Sequence, residues 1–151
     1  MNDIASSLGE LAQILNDGIE FYLGASAKVS DPALAEYFQR MSYLKKTIAA
    51  DLNAEIALQG EAPREAGSLA GTMRRVYADV LAKLSEDTAQ AYIAQLEDHE
   101  DMVLAAFRQA ALGDPSSRVR DMALLYFPEI EKMHAEMRRL KLGSVGPVAS
   151  P

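Results

Sequence analysis

Apolar side chains recur in steps of three and four residues along most of this chain, and Gly and Pro separate the long stretches that carry the pattern. This spacing places apolar positions on one face of an α-helix. The first stretch predicts a helix of about seven turns. Its stripe contains Ile4, Leu8, Leu11, Leu15, Ile19, Tyr22 and Ala25. Gly18 lies on the same face, which favours close approach of a second helix there.

A second helix is predicted from the Ser-Asp-Pro sequence at 30–32 to about Gln59. The Ser-Asp-Pro sequence supplies a cap residue and a proline for the first turn, and Gly60 is placed to end the helix. Lys45 stands where an apolar residue is due. The rest of the stripe is Leu34, Phe38, Met41, Ile48 and Leu52.

A shorter third helix is predicted over 69–84, after a loop at 60–66. Ser85 is placed to cap a fourth helix. Its stripe is Ala89, Ile93, Leu96, Glu100, Val103, Phe107 and Ala110. One carboxylate, that of Glu100, therefore faces the predicted core.

The last predicted helix follows the Gly-Asp-Pro-Ser break at 113–116 and runs to about Leu140. Pro128 lies inside it, which predicts a kink or a local break. The segment 143–151 has no periodicity and is expected to be a disordered tail.

Four long helices and one shorter helix predict an all-α bundle formed by two antiparallel hairpins, with a single domain over residues 1–142. Short loops near residues 28 and 114 join antiparallel neighbours. The segment 60–85 is long enough to cross the length of the bundle, so the second and fourth helices are expected to run parallel. This is the ferritin-like connection, with the shorter helix as the crossover.

Composition narrows the possible functions. The 151 residues include 22 acidic and 15 basic side chains, a formal net charge of −7, and no Cys. The absence of Cys excludes disulfides, Cys-ligated zinc, Fe–S clusters and a thiol nucleophile. Net acidity disfavours nucleic acid and anionic membranes as partners. With no signal-like start and no run of about 18 apolar residues, we expect a cytoplasmic protein without a membrane span.

Four segments carry a family resemblance: LNDGIEFYLGA, DPALAEYF, GEAPREAGSLAGTMRRVYADV and LEDHEDMVLAAFRQAAL. Over residues 8 to about 140 the chain resembles an uncharacterised bacterial family of ferritin-like four-helix-bundle proteins, known only as a domain of unknown function. The most specific element is GSLAG followed by Arg74, Arg75 and Tyr77. The resemblance implies the fold and a homo-oligomer, and it implies no activity.

A di-iron site would require a Glu from each of two helices and Glu-x-x-His from each of the other two. Only Glu131-x-x-His134 fits, because His99 has no Glu at the required spacing. The acids of the first two helices lie on flanks, on the outer face or near a helix end. They are Glu10, Asp17, Glu20, Asp51 and Glu55. The ligand set is therefore incomplete.

Counting residues outward from the hairpin at 114 places Glu100 level with Lys45 at the centre of the bundle. We expect an ion pair between them, with Glu97 and His134 completing a polar cluster, because a lone buried charge is costly. The alternatives are a snorkelling Lys45 and solvated side chains at Glu97, His99 and His134. An iron site would instead use Glu97, Glu100, Glu131 and His134.

The sequence thus predicts a non-catalytic structural or interaction module with no catalytic residues and no cofactor. Self-association is expected from apolar residues assigned to outer faces: Phe21, Tyr37, Tyr43 and Leu125. The alternative function is an iron-binding or di-iron oxidoreductase bundle. A small-molecule or lipid binder with a cavity at Pro128 is a third possibility, with no residue signature and no identified ligand.

Overall fold

The computed structural model describes residues 3–64 and 88–143, and within these ranges the chain forms four α-helices and no strand. The helices are α1 (Asp3–Lys28), α2 (Pro32–Leu58), α3 (Thr88–Gly113) and α4 (Ser117–Gly143). The expected crossover helix at 69–84 and the expected tail beyond Gly143 lie outside the described residues. The arrangement of the four helices is that of a four-helix bundle.

The ends of α2 follow the sequence signals. The Asp31 side chain accepts a hydrogen bond from the backbone N–H of Ala33 at 2.9 Å, and Pro32 is the first helical residue. At the other end Gly60 has φ +82°, a backbone conformation that disfavours side chains with a Cβ. The predicted start and end of this helix are therefore confirmed.

Side-chain contacts give the direction of α2 relative to α4. Asp51 accepts a hydrogen bond from the Tyr126 hydroxyl at 2.6 Å, and one turn later Glu55 pairs with Arg118, also at 2.6 Å. As α2 advances, its partners move backwards along α4. These two helices are therefore antiparallel.

Contacts between α1 and α3 show the same reversal. Leu11, early in α1, lines a surface cavity together with Ala110 near the end of α3, whereas Phe21, farther along α1, packs against Tyr92 near the start of α3 with ring centroids 6.5 Å apart. Because α1 is antiparallel both to α2, its hairpin partner, and to α3, the helices α2 and α3 run parallel. This confirms the predicted direction.

The outer-face assignment of Phe21 was wrong. Phe21 is 1% exposed and belongs to the core, where its ring meets those of Tyr92 and His99. Of the kink or local break expected at Pro128, the break is absent, since α4 is continuous from Ser117 to Gly143.

None of the helices in the described ranges combines the length and the apolar character needed to cross a membrane.

Candidate functional site

A buried ion pair lies at the centre of the bundle. Lys45 Nζ is 2.9 Å from Glu100 Oε1, and both side chains are 0% exposed. The backbones of their helices are far apart, since no Cα atom of α2 lies within 8 Å of a Cα atom of α3. Two long side chains therefore meet across the diagonal of the bundle.

Tyr22 of α1 completes the coordination of this pair. Its hydroxyl donates a hydrogen bond to Glu100 Oε2, so each oxygen of the carboxylate has a partner. The Lys45 ammonium lies 5.8 Å from the centre of the Tyr22 ring, within the range of a cation–π interaction. Phe38 packs on Tyr22, with ring centroids 5.8 Å apart. The aromatic ring of Tyr22 thus contacts both members of the ion pair, and Phe38 supports that ring.

Gly18 makes room for the site from α1. A Cβ atom built there would meet His99 Nε2 at less than 3.0 Å and Lys45 Cδ at 3.0 Å. A methyl group at this position would therefore displace one of the two side chains. Gly18 thus leaves room on α1 for an imidazole and for the stem of the lysine.

His99 is buried beside the ion pair, contrary to the alternative that placed it in solvent. It is 3% exposed, and its Nε2 atom has no hydrogen-bond partner among the described residues. Burial, reinforced by the nearby Lys45 charge, lowers the pKa of His99 to about 3. The imidazole is therefore neutral at physiological pH. Its spacing from Leu96 and Val103, three and four residues, is the signal that places it on the inner face.

Asp17 is a second buried ionisable group that the sequence placed on a flank. Its side chain is 2% exposed, and its Oδ1 atom has no hydrogen-bond partner in the described part of the chain. Burial, with a further contribution from Glu20, raises the pKa of Asp17 to about 6. The bundle thus buries two ionisable groups, His99 and Asp17, whose charged forms are disfavoured.

A separate polar group lies between α3 and α4. His134 is hydrogen-bonded to Asp101, and its Nε2 atom is 3.8 Å from Glu97 Oε2. Lys141 donates a hydrogen bond to Glu97 Oε1 at 3.1 Å. Glu97 is 3% exposed and His134 is 16% exposed. The expected cluster of four is therefore divided, with Lys45 and Glu100 in one group and Glu97 and His134 in the other.

The alternative iron ligands are not brought together as a set. Glu131 is exposed, and Glu100 is held by Lys45 and Tyr22. Asp101 is instead the third residue whose ligand atom lies near those of Glu97 and His134. Sequence reasoning overlooked Asp101 because it is exposed and lies off the apolar stripe, although its i+4 spacing from Glu97 puts both carboxylates on one face.

The centre of the bundle does not fit a di-iron group. Both oxygens of Glu100 already have partners, and the Lys45 ammonium occupies the place where a cation would sit. Among the described residues the neighbouring imidazole, that of His99, directs Nε2 toward Gly18 and not toward Glu100. Glu100 therefore has no carboxylate oxygen left for a metal ion.

The chain leaving α2 is held in the crevice between α1 and α2. The backbone carbonyl of Arg64 accepts hydrogen bonds from Asn16 Nδ2 at 2.7 Å and Asn53 Nδ2 at 3.0 Å. Asn53 Oδ1 in turn accepts a hydrogen bond from the Arg64 N–H at 2.8 Å. The Arg64 guanidinium covers Gly9, where a Cβ would lie 2.8 Å from Cζ. Two amides thus fix the start of the long connection.

An apolar groove runs along the outside of α2 and α4. Leu58 and Leu125 on its walls are 81% and 68% exposed. The Arg118–Glu55 pair lies at one end, and hydrogen bonds from Arg118 and then from Gln59 lower the pKa of Glu55. We call this surface the α2–α4 groove. Its other lining residues are Asp51, Ala54, Asp121, Met122 and Tyr126.

Comparison with sequence families matches residues 3–112 to the family described as Domain of unknown function (DUF2383). The chain belongs to this family. The DUF2383 match contains Lys45, Glu97, Glu100 and Asp101, whereas His134 lies beyond it. No curated protein and no solved structure matches the chain.

Proposed function

We propose that this DUF2383 protein is a non-catalytic, ferritin-like bundle that acts as a protein-interaction module and associates with itself. The observation that carries the proposal is the Lys45–Glu100 pair, closed by Tyr22, at the centre of the bundle. In di-iron bundles that position holds metal ligands from facing helices. Here it holds a neutralised pair with no open coordination position.

The parallel direction of α2 and α3 supports the ferritin-like part of the proposal. Ferritin-like bundles have one long crossover connection, so their second and third long helices run parallel. The Asn16 and Asn53 amides hold Arg64, where the chain leaves α2, against α1 and α2.

The α2–α4 groove is the surface that best fits a second copy of the chain. A two-fold interface must be self-complementary, so each patch has to supply both members of any charge pair. The groove meets this condition, because Arg118 is 53% exposed at its edge and Asp121 is exposed beside it. Leu58 and Leu125 provide apolar area for burial between two copies.

The surface depression around Leu23 and Tyr43, on α1 and α2, fits a second copy less well. Its lining includes Lys46 and no carboxylate, so a two-fold contact there would bring like charges together. Tyr43 is 67% exposed, nearly the same as Leu125. It therefore provides a matched control.

Sedimentation equilibrium of the full chain over micromolar to submillimolar concentrations tests self-association. We expect a concentration-dependent dimer, and Leu125→Ser is expected to weaken it by about tenfold or more, the loss typical of a central apolar anchor. Tyr43→Ser is expected to leave dimerisation unchanged. A wild-type chain that stays monomeric, or equal effects of the two substitutions, would contradict the proposal.

The competing function is a di-iron oxidoreductase. Fe²⁺ added under air is expected to be oxidised no faster with the protein than in buffer alone, because Lys45 occupies the central position. Binding of two irons per chain with catalysed oxygen consumption would overturn the non-catalytic assignment, whatever the oligomeric state.

A further inference from the structure

We propose that Glu97, Asp101 and His134 form a binding site for a single divalent first-row transition-metal ion such as Zn²⁺. The site lies within the α3–α4 hairpin, apart from the central ion pair and from the α2–α4 groove. When no metal is bound, the ammonium group of Lys141 pairs with the Glu97 carboxylate and supplies the positive charge.

The three residues already lie at ligand spacing. One donor atom from each residue lies within 4.8 Å of the donor atoms of the other two. Glu97 and Asp101 are one helical turn apart on α3, and His134 faces them from α4. The donors thus come from two packed helices joined by a short loop, which fixes their relative position.

The donor set has the chemistry of a transition-metal site. Two carboxylates and one imidazole suit divalent first-row ions, and three protein ligands leave a position for water. Bonds of about 2.0–2.2 Å bring ligand atoms to roughly 3–3.5 Å from one another, so His134, which is already hydrogen-bonded to Asp101, must move slightly towards Glu97. Asp101 is 53% exposed and can adjust with His134, whereas Glu97 is fixed by burial at 3% exposure.

Charge balance explains why the buried carboxylate is stable without metal and why the metal can enter. Lys141 donates to Glu97 Oε1 at 3.1 Å, and this contact raises the pKa of Lys141. The lysine is 38% exposed, so its ammonium can move into solvent when a divalent ion replaces it. Lys45, at 0% exposure, has no such route away from Glu100. Only the outer of the two Lys–Glu pairs is therefore exchangeable.

Zn²⁺ binding to the full chain, measured by competition with a chromophoric chelator, tests the proposal. We expect one Zn²⁺ per chain, with Asp101→Asn and His134→Asn each weakening binding by about tenfold or more, since even outer-shell changes cost that much. Lys141→Met is expected to tighten binding by roughly twofold to fivefold, because it removes an exposed competing cation. A purely structural role for the cluster would not produce that increase.

Two control substitutions separate a defined site from general surface charge. Asp98→Asn removes an exposed carboxylate three residues before Asp101, and Glu131→Gln removes one three residues before His134. Neither is expected to change Zn²⁺ affinity by more than about twofold. Absence of saturable Zn²⁺ binding, equal weakening by a control, or no tightening in Lys141→Met would overturn the proposal. Thermal melts followed by circular dichroism verify that each variant is folded. If His134→Asn does not fold, Asp101→Asn alone tests the loss of a ligand.

Discussion

Lys45 and Glu100 occupy positions in apolar stripes, and each is tolerated in the core because the other neutralises it. Removing one charge leaves the other buried without a counterion, which typically costs 3–5 kcal/mol. We therefore expect Glu100→Ala to lower the free energy of unfolding by about 3–5 kcal/mol in urea denaturation.

The matched double variant Lys45→Met/Glu100→Leu tests whether the loss comes from the unpaired charge. Replacing both members of a buried pair by apolar residues is often neutral or stabilising, so the double variant is expected to recover most of the stability lost by Glu100→Ala. If the double variant instead lost as much unfolding free energy as the two single substitutions together, Lys45 and Glu100 would not be energetically coupled.

Protonation of His99 links stability to pH. The pKa of His99 is about 3 in the folded chain and about 6.5 when the chain is unfolded, so protons bind the unfolded state more tightly. The stabilising effect of keeping His99 neutral is therefore complete above pH 6.5, and the free energy of unfolding decreases as pH falls from 6.5 towards 3. Between pH 7 and pH 5 we expect His99 to reduce the free energy of unfolding by about 2 kcal/mol.

The variant His99→Asn isolates this effect, because Asn does not titrate. The difference in unfolding free energy between wild type and variant is expected to narrow, or to favour the variant, as pH falls from 7 to 5. Asp17 acts with the opposite sign: its raised pKa makes its contribution fall as pH rises from about 4 to 6. This opposing contribution is common to both proteins and cancels in the comparison. A difference independent of pH would show that His99 is not desolvated.

At the scale of the helix, α4 is continuous in spite of Pro128, which is exposed and lacks the N–H that would bond one turn back. Pro128→Ala restores that hydrogen bond and removes the steric conflict of the proline ring. We expect the free energy of unfolding to rise by roughly 1–3 kcal/mol. Lys132→Ala, one turn later and also exposed, is the control and should change stability by less than about 0.5 kcal/mol. A destabilised Pro128→Ala variant would mean that a bend at this residue is required for packing.

The helices themselves were predictable because periodicity and end signals coincide in this sequence. Asp31, Pro32 and Gly60 each perform the role that their residue type indicates. Lys45 and Glu100 were recognisable for the same reason, since each interrupts an otherwise apolar series. One charged residue within a regular apolar series is easy to recognise.

Asp17 was assigned to a position off the core stripe, and His99 to solvent, for a different reason. The stripe argument assumes that a helix has one packing partner, whereas α1 packs against both α2 and α3 and buries a wider face. Polar residues beside the stripe are then enclosed as well. Sequence periodicity gives the direction of the main contact but not the number of neighbouring helices.

At the scale of the whole molecule, counting residues from the hairpin at 114 placed Glu100 level with Lys45, and the 2.9 Å contact between them agrees with that count. The same count did not separate the centre from the periphery. Glu97 and His134 were therefore assigned to the central cluster, although they lie in the α3–α4 hairpin with Asp101 and Lys141. Axial level follows from residue number, whereas radial position depends on the rotation of each helix.

The diagonal contact between Lys45 and Glu100 also selects one docking of the two hairpins. Leu, Ala and Met stripes pack almost equally well after a shift of one helical turn, so apolar burial alone discriminates poorly between registers. A shifted bundle would separate the ammonium from the carboxylate and leave both in a dry interior, at a cost of several kcal/mol. The ion pair thus determines the register of the two hairpins. It does so less by stabilising the native bundle than by destabilising bundles in which the helices are shifted.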